Sequence, residues 1–399
     1  TESSGASTLY SLAWEVYPTK PWLAHNTIPI GEDLAGDPPG YEDFQKTYVI
    51  VQATADNTTV EINEPGGPEP EQTDVIHMGE VTQRYHVAAG TTVSATAPVQ
   101  VQFIVGTDGT PHGHYELRGY TAVPQDLWDD EYYVPVGSFP GGHDSDAYLY
   151  NPSNVDLIVT WEERTAGGTF TIPGKRTLSY EDGTGRCLPE DGAVHLSGSH
   201  PFWGVGSVDT ESSDYDWGYS LVPANYLSDD YTIGWAPGTL DQTASGSSLF
   251  VAAVGDGTTL YVDYDADGSA DDEYDLDRLE IQTITDPDHD LTGARVYASD
   301  PVAIVWGENP DTAQPGANYF DLGYTTLPFR EDWMDVALRL EKTADPDVIS
   351  AGSGERTTFS LVVNSYGLTV DGVDVVDDLP AGWAYVDEST TITFPNGTQ

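Results

Sequence analysis

Apolar and polar residues alternate with a period of two along most of this chain, and the alternating runs are rich in Val, Ile, Thr, Tyr and Phe. Gly, Asn, Asp and Pro separate the runs. Such alternation is typical of strands with one buried face, and the separating residues are typical of turns. No stretch shows a convincing helical period. The pattern therefore predicts an all-β protein.

The alternating runs recur in a unit of roughly 100 residues, and each copy opens with the same short phrase. In this anchor phrase an aromatic residue is followed four positions later by Pro and usually, four positions beyond that, by Trp. The four copies begin at Trp14, Tyr120, Tyr219 and Tyr324, which lie 106, 99 and 105 positions apart. Spacing this regular predicts three equivalent β units.

Two features recur inside each unit. A β-rich run crosses a polar turn into a second run, as at Asp56-Asn57, which predicts a strand-turn-strand segment. Further on, a Gly opens an alternating strand, and a Pro eight or nine positions later is expected to open another strand. The three Gly and Pro pairs are Gly90 and Pro98, Gly192 and Pro201, and Gly293 and Pro301.

These patterns divide the chain into three parts. Residues 1–8 form a small polar segment that we expect to be frayed. Residues 9–334 form the three-repeat β domain, and residues 335–399 follow a different pattern. The repeats cover approximately residues 14–119, 120–218 and 219–323. The sequence leaves two arrangements open, tandem sandwiches or a propeller-like ring.

The last part carries three recognisable phrases. They are Leu340-Glu-Lys342-Thr343, a strand ending in Val362-Val-Asn364, and Asp377-Asp378-Leu-Pro380-Ala-Gly382. With these phrases residues 335–399 resemble the conserved repeat domain of archaeal and bacterial surface proteins catalogued as domain of unknown function eleven. The resemblance implies an immunoglobulin-like β-sandwich used in extracellular stalks.

Residues 335–399 are too few for a complete sandwich of this type. Such a domain has about seven strands and about 100 residues. We expect an incomplete immunoglobulin-like domain, which is finished either by chain beyond Gln399 or by strands from a neighbouring domain or subunit. Because exposed strand edges pair readily with other chains, we expect self-association.

The three-repeat domain resembles a second family. The residues that carry the resemblance are the anchor phrases together with Asp56-Asn57-Thr-Thr-Val60, Asp290-Leu-Thr-Gly293 and Ser299-Asp300-Pro301. Residues 9–334 are thereby similar to the bacterial and archaeal relatives of the amino-terminal domain of IgG Fc-binding proteins. This resemblance implies an extracellular all-β adhesion or scaffold module with no known active site. It does not imply immunoglobulin binding.

Charge is the most extreme property of the composition. The 399 residues include 66 acids and only 14 bases, a formal net charge of −52. Such a chain repels itself at low salt, but the Debye length falls to about 3 Å at molar salt. With ten Trp, 24 Tyr and ten Phe, the chain has the aromatic content of a folded protein. We predict a salt-adapted protein of a halophilic archaeon; a mesophilic acidic surface protein is the alternative.

The charge also restricts the partners. Phosphate contacts need clustered Lys and Arg, so nucleic acid is not an expected partner. Cations are the partners that we expect. No run of 18 apolar residues occurs, so this chain is not expected to insert into a membrane. We expect an extracellular location at the cell surface.

One acidic loop has the pattern of a calcium site. An Asp-x-Asp-x-Asp-Gly sequence runs from Asp263 to Gly268, which converges hard oxygen ligands while Gly permits a sharp turn. The position of the bidentate Glu of an EF-hand is occupied by Tyr274, so we predict a Ca²⁺ loop between strands. The alternative is a solvated hairpin tip. The candidate ligands are Asp263, Asp265, Asp267, Ser269, Asp271 and Asp272.

Weaker candidates lie elsewhere. A second acidic cluster consists of Asp286, Asp288 and Asp290. Three interpretations stay open: the cluster shares the first ion, it holds another ion, or it is a solvated surface. Asn57 and Asn396 begin glycosylation sequences. The lone Cys187 is interpreted as a small, partly buried strand residue.

No sequence signature of an enzyme is present: there is no nucleophile elbow, zinc-protease motif, phosphate loop or dinucleotide fingerprint. We therefore expect a protein without enzymatic activity. The leading hypothesis is a calcium-stabilised structural or adhesive subunit of a filament, layer or stalk. The alternative is a cellular or viral adhesin that presents loops to a receptor or glycan.

Overall fold

The computed structural model confirms an all-β repeat fold. It describes residues 2–4, 8–10, 13–17, 22–35, 41–67, 70–107, 117–190, 192–208, 210, 215–236, 248–285, 290–311, 322–328, 339–345, 358–364 and 386. The chain divides into two compact units, Thr1–Asp335 and Val336–Gln399. Within the described residues, no helix is both long enough and apolar enough to cross a membrane.

Three seven-stranded antiparallel sheets make up the first unit. Two short strands precede them, β1 (Glu2–Ser4) and β2 (Thr8–Tyr10). Repeat 1 contains β3 (Leu23–Thr27), β4 (Lys46–Ala53), β5 (Thr58–Asn63), β6 (Gln72–Ile76), β7 (Tyr85–His86), β8 (Thr92–Gly106) and β9 (Leu117–Thr121). Repeat 2 contains β10 (Asp129–Val134), β11 (Asp146–Tyr150), β12 (Leu157–Glu162), β13 (Gly167–Ile172), β14 (Thr177–Ser179), β15 (Val194–Val208) and β16 (Trp217–Ser220). Repeat 3 contains β17 (Ser228–Thr232), β18 (Ser248–Ala253), β19 (Thr258–Asp263), β20 (Asp272–Leu276), β21 (Ile281–Ile284), β22 (Arg295–Gly307) and β23 (Gly323–Thr325).

Strand order is the same in all three sheets. In repeat 1 it is β6-β5-β8-β4-β7, and β3 and β9 also pair with β8. The first half of β8 pairs with β3 and β5, and its second half pairs with β4 and β9. Each repeat is therefore one curled sheet whose two halves share a long central strand. A propeller blade has four strands, so a repeat is not a single blade.

The long central strand corrects one expectation. Pro98, Pro201 and Pro301 do not open new strands but lie inside β8, β15 and β22. Proline cannot donate a hydrogen bond to the ladder, and it is tolerated here because the pairing is irregular at this point. The neighbouring strands β3, β10 and β17 each shift register where they pass it.

One short helix was also not expected. It is α1 (Tyr180–Thr184), whose first turn is capped by the Ser179 hydroxyl, which accepts a hydrogen bond from Asp182 N at 3.1 Å. Gly185 ends the helix in the left-handed conformation. Cys187 follows in the loop and is exposed, so its assignment to a partly buried strand was wrong.

The residue after each anchor aromatic links one repeat to the next. Thr121 Oγ1 donates to the carbonyl of Glu15 at 2.7 Å, and Ser220 Oγ donates to the carbonyl of Thr121 at 2.8 Å. Thr325 Oγ1 donates in turn to the carbonyl of Ser220. We call these four residues the anchor ladder. The anchor phrases are thus the junctions between repeats.

Side chains pack tightly at these junctions. Trp217 of repeat 2 lies against Gly323 of repeat 3, where a Cβ atom would fall 1.9 Å from the indole. Tyr120 of repeat 1 covers Gly218 of repeat 2 in the same way, at 2.4 Å from the tyrosine hydroxyl. Phe44 and Tyr148 add an edge-to-face contact between repeats 1 and 2, with ring centroids 4.6 Å apart. Glycine at these points lets large aromatic rings reach the neighbouring backbone.

A fully buried ion cluster also joins repeats 1 and 2. Arg118 contacts Asp43 at 3.1 Å and Asp216 at 3.3 Å, and it donates to the carbonyl of Val208 at 2.9 Å. The three ionised side chains have almost no exposed surface. Removing one partner from such a cluster leaves an uncompensated buried charge.

The two ends of the chain have less described structure. Strands β1 and β2 pair as a short hairpin, so the amino-terminal segment is not simply frayed. In the second unit, β24 (Arg339–Asp345) pairs with β25 (Thr358–Asn364). The remaining strands of the expected immunoglobulin-like domain lie outside the described residues.

Candidate metal centre

The predicted calcium loop connects two neighbouring strands of repeat 3. It leaves β19 at Asp263 and enters β20 at Asp272, and Asp271 N closes it by donating to the carbonyl of Val262 at 2.7 Å. Ala266 and Gly268 adopt left-handed backbone conformations, with φ of 53° and 94°. These two positions turn the chain sharply enough to fold the acids inward.

Three carboxylates come together in this loop. Asp263, Asp265 and Asp267 each offer one oxygen, and these oxygens lie within 4.8 Å of one another. Asp263 is fully buried at the end of its strand, whereas the other two are exposed. The centre therefore has one ligand fixed by the sheet and two ligands on the loop.

Backbone amides hold the three carboxylates in place. Asp263 accepts from the amides of Asp267 at 3.1 Å and Gly268 at 2.8 Å. Asp265 also accepts from the Asp267 amide, at 3.2 Å, and Asp267 accepts from the Ser269 amide at 2.8 Å. These bonds orient the oxygens without neutralising their charge, so the loop remains a concentration of negative charge.

The donor set fits a hard divalent cation. Calcium binds carboxylate oxygens at about 2.3–2.6 Å, so ligands around one ion lie within about 5 Å of each other. Arg295 lies opposite Asp263 in the strand ladder, but its guanidinium binds Asp230 at 2.9 and 2.7 Å. Asp263, Asp265 and Asp267 would hold the ion, which would join the end of β19 to its loop.

The other candidate ligands are engaged differently. Asp271 Oδ2 accepts from the amide of Tyr264 at 2.9 Å. Asp272 Oδ2 accepts from the hydroxyls of Tyr264 at 2.8 Å and Tyr274 at 3.3 Å. The structure thus brings three of the five predicted acids into one group. The other two, Asp271 and Asp272, accept hydrogen bonds within the loop and its flanking strand. Ser269 contributes its amide to Asp267.

The remaining candidates are only partly described. Asp286 and Asp288 lie outside the described residues, and Asp290 is exposed with Oδ1 accepting from Thr292 N at 3.0 Å. Asn396 also lies outside them. Asn57 is exposed at a turn, with φ of 58° and its amide donating to His77 Nδ1 at 3.3 Å. It is accessible as a glycosylation acceptor would have to be.

One buried carboxyl escaped the sequence analysis. Glu15, the first rung of the anchor ladder, is 4 % exposed, and its Oε1 accepts from Tyr17 OH at 3.4 Å. Burial raises the pKa of Glu15 to about 7. Hydrogen bonds from the side chains of Ser220 and Tyr17, and from the backbone, oppose part of the shift. The signal was present in the alignment of the anchor phrases, because Glu15 stands where the other copies have Thr121, Ser220 and Thr325.

Comparison with known proteins provides no family for the chain: no family model matches it, and no curated protein matches it. The two resemblances noted in the sequence stay predictions. The candidate metal centre and the repeat junctions must therefore carry the functional argument.

Proposed function

We propose that this chain is an extracellular structural or adhesive protein of a halophilic archaeon, a calcium-stabilised subunit of a filament, layer or stalk. The observation that carries the proposal is the anchor ladder. Three β repeats are joined through equivalent residues, Thr121, Ser220 and Thr325, by the same side-chain to backbone bond. Equivalent junctions between successive units suit a mechanical scaffold, because each unit contacts its neighbours and transmits force to them.

The charge distribution supports salt adaptation. A net charge of −52 is tolerated only where counterions are abundant. Two of the few bases form ion pairs within the fold. Arg118 is buried between repeats, and Arg295 binds Asp230 on a neighbouring strand. Bases placed at structural contacts leave the outer surface acidic and hydrated.

Calcium has a mechanical role in this proposal. An ion held by Asp263, Asp265 and Asp267 would clamp the loop that follows β19 and offset the mutual repulsion of its acids. The same proposal assigns residues 335–399 to a contact with a neighbouring domain or subunit. The proposal includes strand donation between subunits as one form of assembly.

Electron microscopy tests the proposed function. The purified chain would be imaged in molar NaCl with millimolar calcium, and again after a calcium chelator has been added. We expect ordered filaments, sheets or rings with calcium and their loss with chelator. Magnesium at the same concentration is the control for ionic strength. Smooth monomers that are indifferent to both ions would contradict the proposal.

A further inference from the structure

A cleft of about 280 Å³ opens between repeats 1 and 2, away from the candidate metal centre. Repeat 1 lines it with Asp33 and Tyr41, and repeat 2 lines it with Lys175, Arg176 and Thr177. Small-molecule pockets start at about 300 Å³, so the cleft has room for a small ligand or for one end of a larger one.

Two bases distinguish this cleft from the rest of the acidic surface. Lys175 and Arg176 are the only consecutive bases in the sequence. In the described part of the chain, the Lys175 ammonium binds only the carbonyl of Pro152, and the Arg176 side chain has neither a hydrogen bond nor an ion pair. Other described arginines do form ion pairs, namely Arg118, Arg164, Arg186, Arg278 and Arg295. Among the described acids, none forms an ion pair with either base.

The backbone that presents the two bases is fixed. Lys175 adopts a left-handed conformation with φ of 60°, which is unusual for a residue with a side chain. Its amide donates to the carbonyls of Asn151 at 3.1 Å and Ser153 at 2.9 Å, and the Arg176 carbonyl accepts from Asn151 N at 3.0 Å. Positive charges held in this way need little further ordering to bind a ligand.

The two walls of the cleft are bonded to each other. Ser179 N donates to the hydroxyl of Tyr41 at 2.8 Å, and Thr177 Oγ1 donates to the carbonyl of Pro29. Burial raises the pKa of Tyr41. The Tyr41 hydroxyl also contacts the carboxylate of Asp182, which adds to the shift. The cleft is consequently a fixed feature of the junction between repeats.

The lining combines two kinds of polar group. Lys175 and Arg176 match a carboxylate, and Arg in particular binds carboxylates through two parallel hydrogen bonds. Asp33 and Asp182 are exposed acceptors that match hydroxyl donors. Asp33 Oδ1 accepts from Ala89 N at 2.7 Å, so Asp33 offers its second oxygen to a ligand. We propose that this cleft binds an acidic saccharide, a sugar that carries a carboxylate among its hydroxyl groups.

Other anionic ligands fit this lining less well. A poly-acidic peptide offers only backbone N–H donors to Asp33 and Asp182, and it places a carboxylate beside them at every residue. A nucleic acid binds through a longer run of clustered Lys and Arg than the two bases of this cleft provide. A sugar acid uses both bases and both acids. This inference does not rest on the proposed structural role, because it concerns a different part of the repeat domain.

The test is a titration of the full chain with trigalacturonate, followed by calorimetry or saturation-transfer NMR. The uncharged methyl ester of the same trisaccharide and a short poly-aspartate peptide serve as comparison ligands. Arg176→Gln removes one cleft charge, Arg176→Lys keeps it, and Arg84→Gln removes an exposed charge that does not line the cleft. Urea unfolding of each variant verifies that it is folded.

We expect trigalacturonate to bind the wild-type chain and the ester to bind much more weakly. Loss of the charge-assisted bonds in Arg176→Gln should weaken binding on the order of tenfold, with partial recovery in Arg176→Lys. Arg84→Gln should bind as the wild type does. The proposal is overturned if trigalacturonate does not bind, if the ester or poly-aspartate binds equally well, or if Arg84→Gln loses as much affinity as Arg176→Gln.

Discussion

Glu15 is the one member of the anchor ladder with an ionisable side chain. Its carbonyl accepts from Thr121, as the carbonyls of later rungs accept from Ser220 and Thr325. Its carboxyl is buried, and within the described structure Oε2 has no hydrogen-bond partner. A buried carboxylate with one unpaired oxygen is costly, so burial favours the protonated form in the folded protein. At this residue the stability of the repeat junction is coupled to pH.

Stability should therefore fall as pH rises through neutrality. The pKa of Glu15 is raised from 4.5 to about 7 in the folded protein, so between these values the folded state holds a proton that the unfolded state has lost. The contribution is fully present below about pH 4.5 and is lost above about pH 7. A shift of this size corresponds to about 3 kcal/mol.

The variant Glu15→Gln tests this coupling. Urea unfolding at constant molar NaCl, from mildly acidic to mildly alkaline pH, should show a flatter pH dependence than the wild type and greater stability on the alkaline side. Some dependence should remain, because burial also raises the pKa of Asp146 to about 7. Asp146→Asn is the matched second variant. A Glu15→Gln profile parallel to that of the wild type would disprove the assignment.

At the scale of elements, the contact between Trp217 and strand β23 is a tight steric constraint between two repeats. A methyl group at Gly323 would fall 1.9 Å from the Trp217 ring, and one at Gly307 would fall 2.5 Å from it. Both glycines belong to repeat 3, whereas the tryptophan belongs to repeat 2. The junction depends on glycine because the ring occupies the space of a side chain.

Gly323→Ala should destabilise the protein by roughly 1–3 kcal/mol, the usual effect of overpacking a tight contact. Gly234→Ala is the control, since its added methyl would meet nothing within 4 Å and its backbone is not left-handed. Thermal unfolding monitored by circular dichroism measures both. Equal melting temperatures for the two variants would show that the Trp217 contact is not constrained in solution.

The calcium loop is the second element with a direct test. Asp265→Asn removes one of the three clustered charges while keeping an oxygen that can accept from Asp267 N. We expect calcium affinity, measured by isothermal titration calorimetry, to fall at least about tenfold, because hard cations depend on ligand charge. Asp277→Asn removes an exposed acid outside the cluster and should bind as the wild type does. Equal affinities in both variants, or no heat with the wild type, would remove the metal centre from the account.

At the scale of the whole molecule, much of the fold could be predicted from the sequence. The positions of Tyr120, Tyr219 and Tyr324 reveal the period, because equivalent junctions need equivalent residues. The strand segments were also visible, since strand alternation is local. Strand partners were not: β4 and β5 are neighbours in sequence but flank β8 instead of pairing with each other. Pairing across about 50 residues leaves no local signal.

The candidate sites divide in the same way. The Asp-x-Asp-x-Asp-Gly pattern identified Asp263, Asp265 and Asp267, because ligands within one loop are close in sequence. It did not reveal that Asp272 accepts hydrogen bonds from two tyrosine hydroxyls and stands apart from the three clustered carboxylates. The sequence did not reveal the cleft, since Arg176 and Asp33 line one cleft only after two repeats have packed together.

The net charge predicts a steep dependence of stability on salt. The Debye length is about 10 Å at 0.1 M salt and about 3 Å at 1 M, so repulsion among 66 acids is screened only in concentrated salt. The melting temperature should rise continuously with NaCl up to molar concentrations. Sucrose solutions of the same water activity are the control, because sucrose is excluded from the protein surface but does not screen charge. A similar rise in sucrose, or none in NaCl, would contradict a screening mechanism.

The central claim is that the anchor phrases join the three repeats into one coupled unit. Differential scanning calorimetry of the full chain in molar NaCl tests it most directly, by comparing wild type with Gly323→Ala. We predict a single main transition for the repeats, and we predict that the substitution moves all of its heat to lower temperature, although it alters only one junction. Three separable transitions, with only the part belonging to repeat 3 displaced, would contradict the claim.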